Sequence, residues 1–230
     1  MASISGAAGT VGVGNALGGG MTTITAQLRT VSGTAVLTVS SAALTGLTLT
    51  PTTATIPVGY WVRYAAMAQY ADGLSVDITE QATWTTSAPA VAGAGNGAIY
   101  GGRITGLSPG SSSVTARFAG LGGTASATVL AMRLADLIVT PDNQSTPVGV
   151  PIQLTATGVF TAGSITISID ITLQVGWKVA PKKNGTVSNT DGSRGVVTMY
   201  NASSAANILA HAWDLNSSGS MTGNTKVYAP

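Results

Sequence analysis

The sequence predicts an all-β chain of short-stranded sandwiches set in series, and three observations predict it. First, one passage is spelled twice, as LTGLTLTPTTATIPVG at 44–59 and LADLIVTPDNQSTPVG at 134–149. Leu44, Leu47, Thr50, Pro51, Pro57, Val58 and Gly59 return 90 positions later as Leu134, Leu137, Thr140, Pro141, Pro147, Val148 and Gly149. Second, apolar and polar residues alternate between turn signals at Asp72-Gly73, Asn96-Gly97, Asn184-Gly185 and Asp191-Gly192, the period of a half-buried strand. Third, only 8% of the 230 residues are charged, while Gly, Ala, Ser and Thr dominate. Such a surface is coated with small hydroxyls and suits strands better than helices.

The repeat organises the whole chain. Residues 21–39, MTTITAQLRTVSGTAVLTV, align without a gap on 111–129, SSSVTARFAGLGGTASATV, again at 90. After Gly149 the interval grows: Asp77-Ile78-Thr79 answers to Asp170-Ile171-Thr172 and Trp84 to Trp177 at 93, Val114 to Ile208 at 94, and Val129 to Val227 at 98. The spacing predicts three residues added in one hairpin and four in the last, since insertions collect in loops. The division that follows is 1–42 as an incomplete copy, 43–131 as a complete one and 132–230 as a diverged one. About seven short strands in 90 residues describe a sandwich.

Alternation also assigns faces. Val62, Tyr64, Ala66, Ala68 and Tyr70 share one side of a strand, matched by Ile152, Leu154, Ala156, Gly158 and Phe160. Ile24, Ala26 and Leu28, then Val114, Ala116 and Phe118, then Ile208, Ala210 and Ala212 face inward in the three copies. Trp84 and Trp177 fall where a sandwich holds one large ring. The predicted core is therefore built on Trp84, Trp177, Tyr64, Tyr70, Phe118 and Phe160.

The runs ATIPVG, YADG, VDITEQATWTTSAPAVA, RITGLSPGSSSVTA and TASATV within 43–131 together resemble the bacterial immunoglobulin-like group 2 domain. Residues 132–230 keep the first strand, the DIT and the Trp but substitute APKKNGTVSNTDGSRG for the usual turn. Residues 1–42 match only the second half of the pattern, from about Ala92 onward. The resemblance implies tandem immunoglobulin-like Greek-key sandwiches, the N-terminal one incomplete. It also implies a non-enzymatic module of the kind found in invasin- and intimin-type surface adhesins and on phage tail and capsid proteins, with no shared active site and no cofactor.

Composition narrows the chemistry further. Ten bases against eight acids leave a net charge of +2, scattered singly apart from Lys182-Lys183, so no basic stripe is present to neutralise a phosphate backbone. Cysteine is absent, which removes disulfides and thiolate chemistry. The first 23 residues lack a basic n-region, and the charge-free stretch 30–62 is broken by Gly and Pro, so neither a signal segment nor membrane insertion is expected. His211 stands three residues before Asp214, but the repeat puts it on the outward side of a strand, away from any serine triad. DLNSSGSMTGNT at 214–225 has the early spacing of a calcium loop but ends on Thr225, without the bidentate Glu, and reads as a long hairpin loop. Asp77 with Glu80, and Asp142 with Asn143, read as turn formers. Eight scattered acids make no facing carboxylate pair for glycoside hydrolysis. No catalytic, cofactor or metal residue is assigned.

What remains is contact chemistry. Trp61, Arg63 and Trp213 point outward and are the candidate surface-contact residues; the bland alternative is that such rings cover a joint between repeats. The cut copy at 1–42 exposes an inward row and open strand edges, which predicts a homo-oligomer or a larger virion or surface assembly that completes it with strands from another chain. The expected role is a structural display protein, first a phage virion component that meets a host glycan or protein, alternatively a bacterial adhesin or stalk, and last a carbohydrate-binding accessory module. Its expected place is a virion surface or a bacterial cell surface.

Overall fold

The computed structural model describes residues 2–5, 12, 14–213 and 220–230. It is all-β, two immunoglobulin-like sandwiches in tandem behind an incomplete third. By compactness the chain falls into two units, Met1–Thr48 with Met67–Asp77, and Leu49–Ala66 with Ile78–Pro230. Among the described residues no helix is long and apolar enough to cross a membrane.

The first stretch forms two hairpins. β1 (Ala2–Ile4) pairs with β2 (Gly14–Ala16), and β3 (Gly20–Leu28) pairs with β4 (Val31–Val39), both antiparallel. Thr and β-branched residues alternate along β3 and β4, so one face carries Ile24, Ala26, Ala35, Leu37 and Val39, and the other Thr23, Thr25, Thr34 and Thr38.

The next repeat supplies β5 (Leu44–Thr50), β6 (Thr53–Pro57), β7 (Trp61–Arg63), β8 (Ala65–Tyr70), β9 (Ser75–Asp77), β10 (Thr83–Thr86), β11 (Ala92–Ala94), α1 (Gly97–Tyr100), β12 (Arg103–Gly106), β13 (Gly110–Phe118) and β14 (Leu121–Leu130). They hydrogen-bond in the orders β5-β8-β9, β10-β13-β14-β6 and β11-β12-β7. The Asn96-Gly97 signal opens the single helical turn α1, where the sequence predicts a plain hairpin turn.

The last repeat supplies β15 (Arg133–Thr140), β16 (Gln144–Ser145), β17 (Ile152–Gln153), β18 (Thr155–Ala162), β19 (Ile165–Asp170), β20 (Gly176–Ala180), β21 (Gly185–Val187), β22 (Val196–Met199), β23 (Ser204–Trp213) and β24 (Ser220–Ala229). Their orders, β15-β18-β19, β20-β23-β24-β16 and β21-β22-β17, repeat the preceding ones strand for strand. In both copies the short strand after the Thr-Pro turn, β6 or β16, runs parallel to the last strand, β14 or β24.

Pairing registers test the predicted insertions. Met67 faces Asp77 and Thr157 faces Asp170, an advance of 90 on one strand and 93 on the other, so three residues lengthen that hairpin. In the last hairpin Gly110 faces Val129 and Ser204 faces Ala229, an advance of 94 and then 100. The loop therefore gains six residues. The four expected from matching Val227 to Val129 is corrected, because Val227 stands level with Ala127. A slip of two residues preserves the face, so alternation alone could not detect it.

Each of the two complete repeats has an apolar interior around its tryptophan. Trp84 is 1% exposed, opposite Ala116 on β13, and Trp177 is 3% exposed, opposite Ala210 on β23. Tyr64 and Phe160 are fully buried. Tyr70 and Phe118 are only half-buried, each being the last residue of its strand.

Candidate functional site

Two constellations carry the specific side-chain chemistry of this chain. The first surrounds each tryptophan and explains why the same residues are spelled twice. The Trp84 indole Nε1–H donates to the Thr79 carbonyl at 2.8 Å, and its main-chain N–H donates to Asn96 Oδ1 at 2.6 Å. Asn96 Nδ2 returns a bond to the Trp84 carbonyl at 3.1 Å. The same three bonds recur 93 positions on. Trp177 Nε1 donates to the Thr172 carbonyl at 3.1 Å, its N–H donates to Asn189 Oδ1 at 2.8 Å, and Asn189 Nδ2 donates to the Trp177 carbonyl at 2.9 Å.

The threonine of each DIT works twice. The buried hydroxyls of Thr79 and Thr172 accept the N–H of Ala66 at 2.9 Å and of Ala156 at 2.8 Å, while their carbonyls hold the indoles. A strand amide that would be stranded in the core is thus satisfied by a side chain. Two glycines close the arrangement. Gly102 (φ 76) and Gly195 (φ 83) accept the N–H of Tyr64 at 2.7 Å and of Leu154 at 3.0 Å. A Cβ on Gly102 would lie 2.0 Å from the Tyr64 carbonyl oxygen, so no larger residue fits there.

The second constellation joins the two complete repeats. Trp61 begins β7, the edge strand of its sheet, and among the described residues no strand pairs with its outer N–H and C=O. The Gln174 side chain of the next repeat takes both, accepting the Trp61 N–H at 2.9 Å and donating to the Trp61 carbonyl at 3.1 Å. A primary amide here stands in for a neighbouring strand. Gln174 is held by the turn after β19, its own N–H donating to the Ile171 carbonyl at 2.7 Å. Beside it Tyr60, only 5% exposed, belongs to the apolar core of the last repeat. Its ring meets Phe160 edge-on, with centroids 4.6 Å apart and an interplanar angle of 70°. The Trp61 indole is not bare either: the Arg103 guanidinium sits 4.5 Å from its centroid and 4.9 Å from that of Tyr100.

A shallow cleft of about 380 Å³ opens at this joint between Trp61, Val62, Arg63, Ile169, Asp170 and Leu173. Arg63 is exposed at its rim and reaches Glu80 at 3.2 Å, both side chains 45% exposed, so the pair contributes little. Asp170 is committed to the Thr172 N–H at 2.8 Å. The side chain of the third predicted contact residue, Trp213, lies outside the described residues; its backbone pairs with Ser220.

Among the described residues no other predicted chemistry gathers into a site. His211 Nδ1 is 3.4 Å from Thr222 Oγ1 on the neighbouring strand, and Asp214 lies outside the described residues, as does the first half of the 214–225 loop. The second half of the predicted 214–225 loop is strand instead: residues 220–225 belong to β24, where Thr225 pairs with Ile208 and has its hydroxyl buried against Asp142 Oδ1 at 2.8 Å. Among the described residues no three His, Asp or Glu side chains could hold a metal. Sequence reasoning missed Asn96, Asn189, Tyr60 and Gln174. The two asparagines keep the 93 interval of their tryptophans and were findable from it, whereas nothing in the spacing ties Trp61 to a glutamine 113 residues away.

No family model matches the chain. It is 36% identical over 188 residues, 82% of its length, to Ice-binding protein 1 of Shewanella frigidimarina. The chain spans about a fifth of that protein. Among solved structures, domains 5–6 of the S-layer protein SbsC align over 82% of this chain and 99% of theirs, at 16% identity and a TM-score of 0.45. Repeats EC1-2 of human protocadherin-24 align over 82% and 99%, at 11% identity and a TM-score of 0.29.

Proposed function

We propose that this chain is a non-catalytic display spacer of the bacterial immunoglobulin-like kind, whose joined sandwiches hold a distal part of a larger extracellular protein away from its attachment. The observation that carries the reading is the joint itself: a side-chain amide and a buried tyrosine tie the second repeat to the third, which is the requirement of a stalk and not of an active site. An interface that fixes both main-chain groups of an edge residue resists the independent motion that tandem domains otherwise show.

The relative's bacterial source favours a bacterial surface over a virion; the spacer mechanism serves either address. The ice binding in the relative's name belongs, on this reading, to the part of that protein outside the matched fifth. The chain alone is then expected to give no thermal hysteresis, and a measurable freezing-point gap would move ice binding into the repeats.

Two measurements test the spacer. Nuclear spin relaxation should report one correlation time for residues 78–131 and 132–230, and two after Gln174→Ala with Tyr60→Ala; separate tumbling of the unaltered repeats overturns the stalk. An antibody against the last repeat should label intact cells or particles of the source, and labelling only after lysis overturns display.

A further inference from the structure

The four strands of the first stretch are the second half of a repeat, folded in the register of the complete copies. Ala2 faces Ala16 as Ala92 faces Gly106, 90 positions on, so β1-β2 stands for β11-β12. Gly20 faces Val39 as Gly110 faces Val129, so β3-β4 stands for β13-β14. In the complete copy those strands have three further neighbours: β7 on β12, β10 on β13 and β6 on β14. Among the described residues β1-β2 and β3-β4 are two-stranded, and no described strand lies on the edges of β2, β3 and β4 that would take those neighbours.

Exposure records the same gap. Val114 and Ala116 on β13 are fully buried, while their counterparts Ile24 and Ala26 on β3 are half-buried and exposed. Ala127 and Val129 on β14 are fully buried, while Leu37 and Val39 on β4 are half-buried. Leu28 and Val31, at the hairpin end of the same face, are 77% and 72% exposed. A two-stranded ribbon with an open apolar face is not stable alone in water.

We infer that β1–β4 form a docking surface for the first half of an immunoglobulin-like repeat, a polypeptide segment with the chemistry of residues 43–91. This rests on the sandwich reading above, and the complete copies specify the fit. A Thr-Trp-Thr-Thr strand lies antiparallel on β3 against Gln27, Ala26, Thr25 and Ile24, which sets the incoming indole opposite Ala26 as Trp84 lies opposite Ala116. A Thr-Ala-Thr-Ile-Pro strand lies parallel on β4 along residues 36–40, with its Ile at Val39, as Ile56 lies at Val129. A Trp-Val-Arg strand closes β2, with its Val at Gly14, as Val62 lies at Ile104. Main-chain bonds supply the docking, and the indole filling the space over Ala26 supplies the specificity.

The test is a full-length chain extended at its start by a second copy of residues 43–91 joined directly to Ala2, which restores the repeat in phase. Amide exchange in β3 and β4 is expected to slow at least 100-fold and the added tryptophan emission to shift to the blue. Ala26→Arg in the extended chain should abolish both changes, whereas Thr25→Arg, on the opposite face, should leave them; in the unextended chain Ala26→Arg should leave the exchange of β3 and β4 as it was. Unchanged exchange of β3 and β4 in the extended chain overturns the inference. So does concentration-dependent dimerisation of the unextended chain with the same protection, which would give the face to a second copy. The spacer reading fails separately, on relaxation of the two complete repeats.

Discussion

Tyr60 is encoded in one repeat and buried in the next, so Tyr60→Ala should destabilise a part of the chain to which it does not belong. Truncating an aromatic side chain in a packed core costs about 3–5 kcal/mol, and the edge-on contact with Phe160 adds about 0.5–1.5 kcal/mol. The lower bound, about 3 kcal/mol, is the smallest loss this predicts. Native-state hydrogen exchange reads this loss strand by strand. At about tenfold per 1.4 kcal/mol, the slowest amides of β20 and β23, which hold Trp177, should exchange roughly 150-fold faster. Those of β10 and β13 around Trp84 should move far less. Tyr60→Phe keeps the ring and its edge-on contact with Phe160 and should accelerate β23 far less than Tyr60→Ala. Unchanged β23 exchange in Tyr60→Ala, or equal acceleration in both repeats, would refute the assignment of Tyr60 to the neighbouring core and with it the stiff joint.

Other outcomes follow from the tryptophan clamps and the cleft. Asn189→Ala removes two bonds to the Trp177 main chain and should cost about 1–3 kcal/mol, read by chemical denaturation, with Asn96→Ala comparable in its own repeat. Gly102→Ala should leave the second repeat unfolded or weakened by about 3 kcal/mol or more, because its Cβ meets the Tyr64 carbonyl, while Gly192→Ala, with φ 86 but open space around it, should cost only about 1–2 kcal/mol. Burial pushes the Tyr64 phenol up to about 12 from its ordinary 10.0. The unfolded chain therefore loses this proton first, so the Tyr64 contribution is intact below pH 10, falls between pH 10 and 12 by roughly 2–3 kcal/mol, and is absent in Tyr64→Phe; a profile identical in that variant would contradict it. A glycan array of the full chain should stay silent, and binding that disappears with Trp61→Ala would instead make the cleft a sugar site.

The parts of this fold legible in the sequence are those that depend on period. Alternation of two and recurrence at 90 placed the strands, their inward faces and both tryptophans, because burial on one face of a sheet constrains every second residue. The six-residue loop was misjudged for the same reason, since Val227 and Ala229 lie on one face and either satisfies the pattern. The polar clamps were half visible: Asp-Ile-Thr stood out as a repeated spelling, yet its role appears only when the Thr79 hydroxyl is seen on the Ala66 amide and its carbonyl on the indole of Trp84. The joint was legible only as the alternative that the outward rings cover a contact between repeats. Outward placement of Trp61 follows from alternation, but whether an outward ring meets water, a ligand or another repeat depends on the fold of residues more than a hundred positions away.

The clamps also explain how a third repeat diverges so far without losing its fold. Between Trp177 and β22 the last copy replaces the Ala-Pro turn and α1 with a different loop, yet Asn189 still reaches the Trp177 main chain and Gly195 still accepts from Leu154. Both are required by backbone groups that would otherwise be buried unpaired, a cost no apolar substitution removes. The joint follows the same logic from the opposite side. Val150 and Pro151 occupy in the last repeat the places of Tyr60 and Trp61, and Pro151 has no amide hydrogen to give a glutamine, so the clamp made by Gln174 cannot be repeated there. Restoring the pair with Val150→Tyr and Pro151→Trp, in a chain extended by a further copy of residues 132–230, should lock that second joint as well. Two correlation times across it after the restoration would show that Tyr60 and Trp61 are insufficient to make a stiff joint.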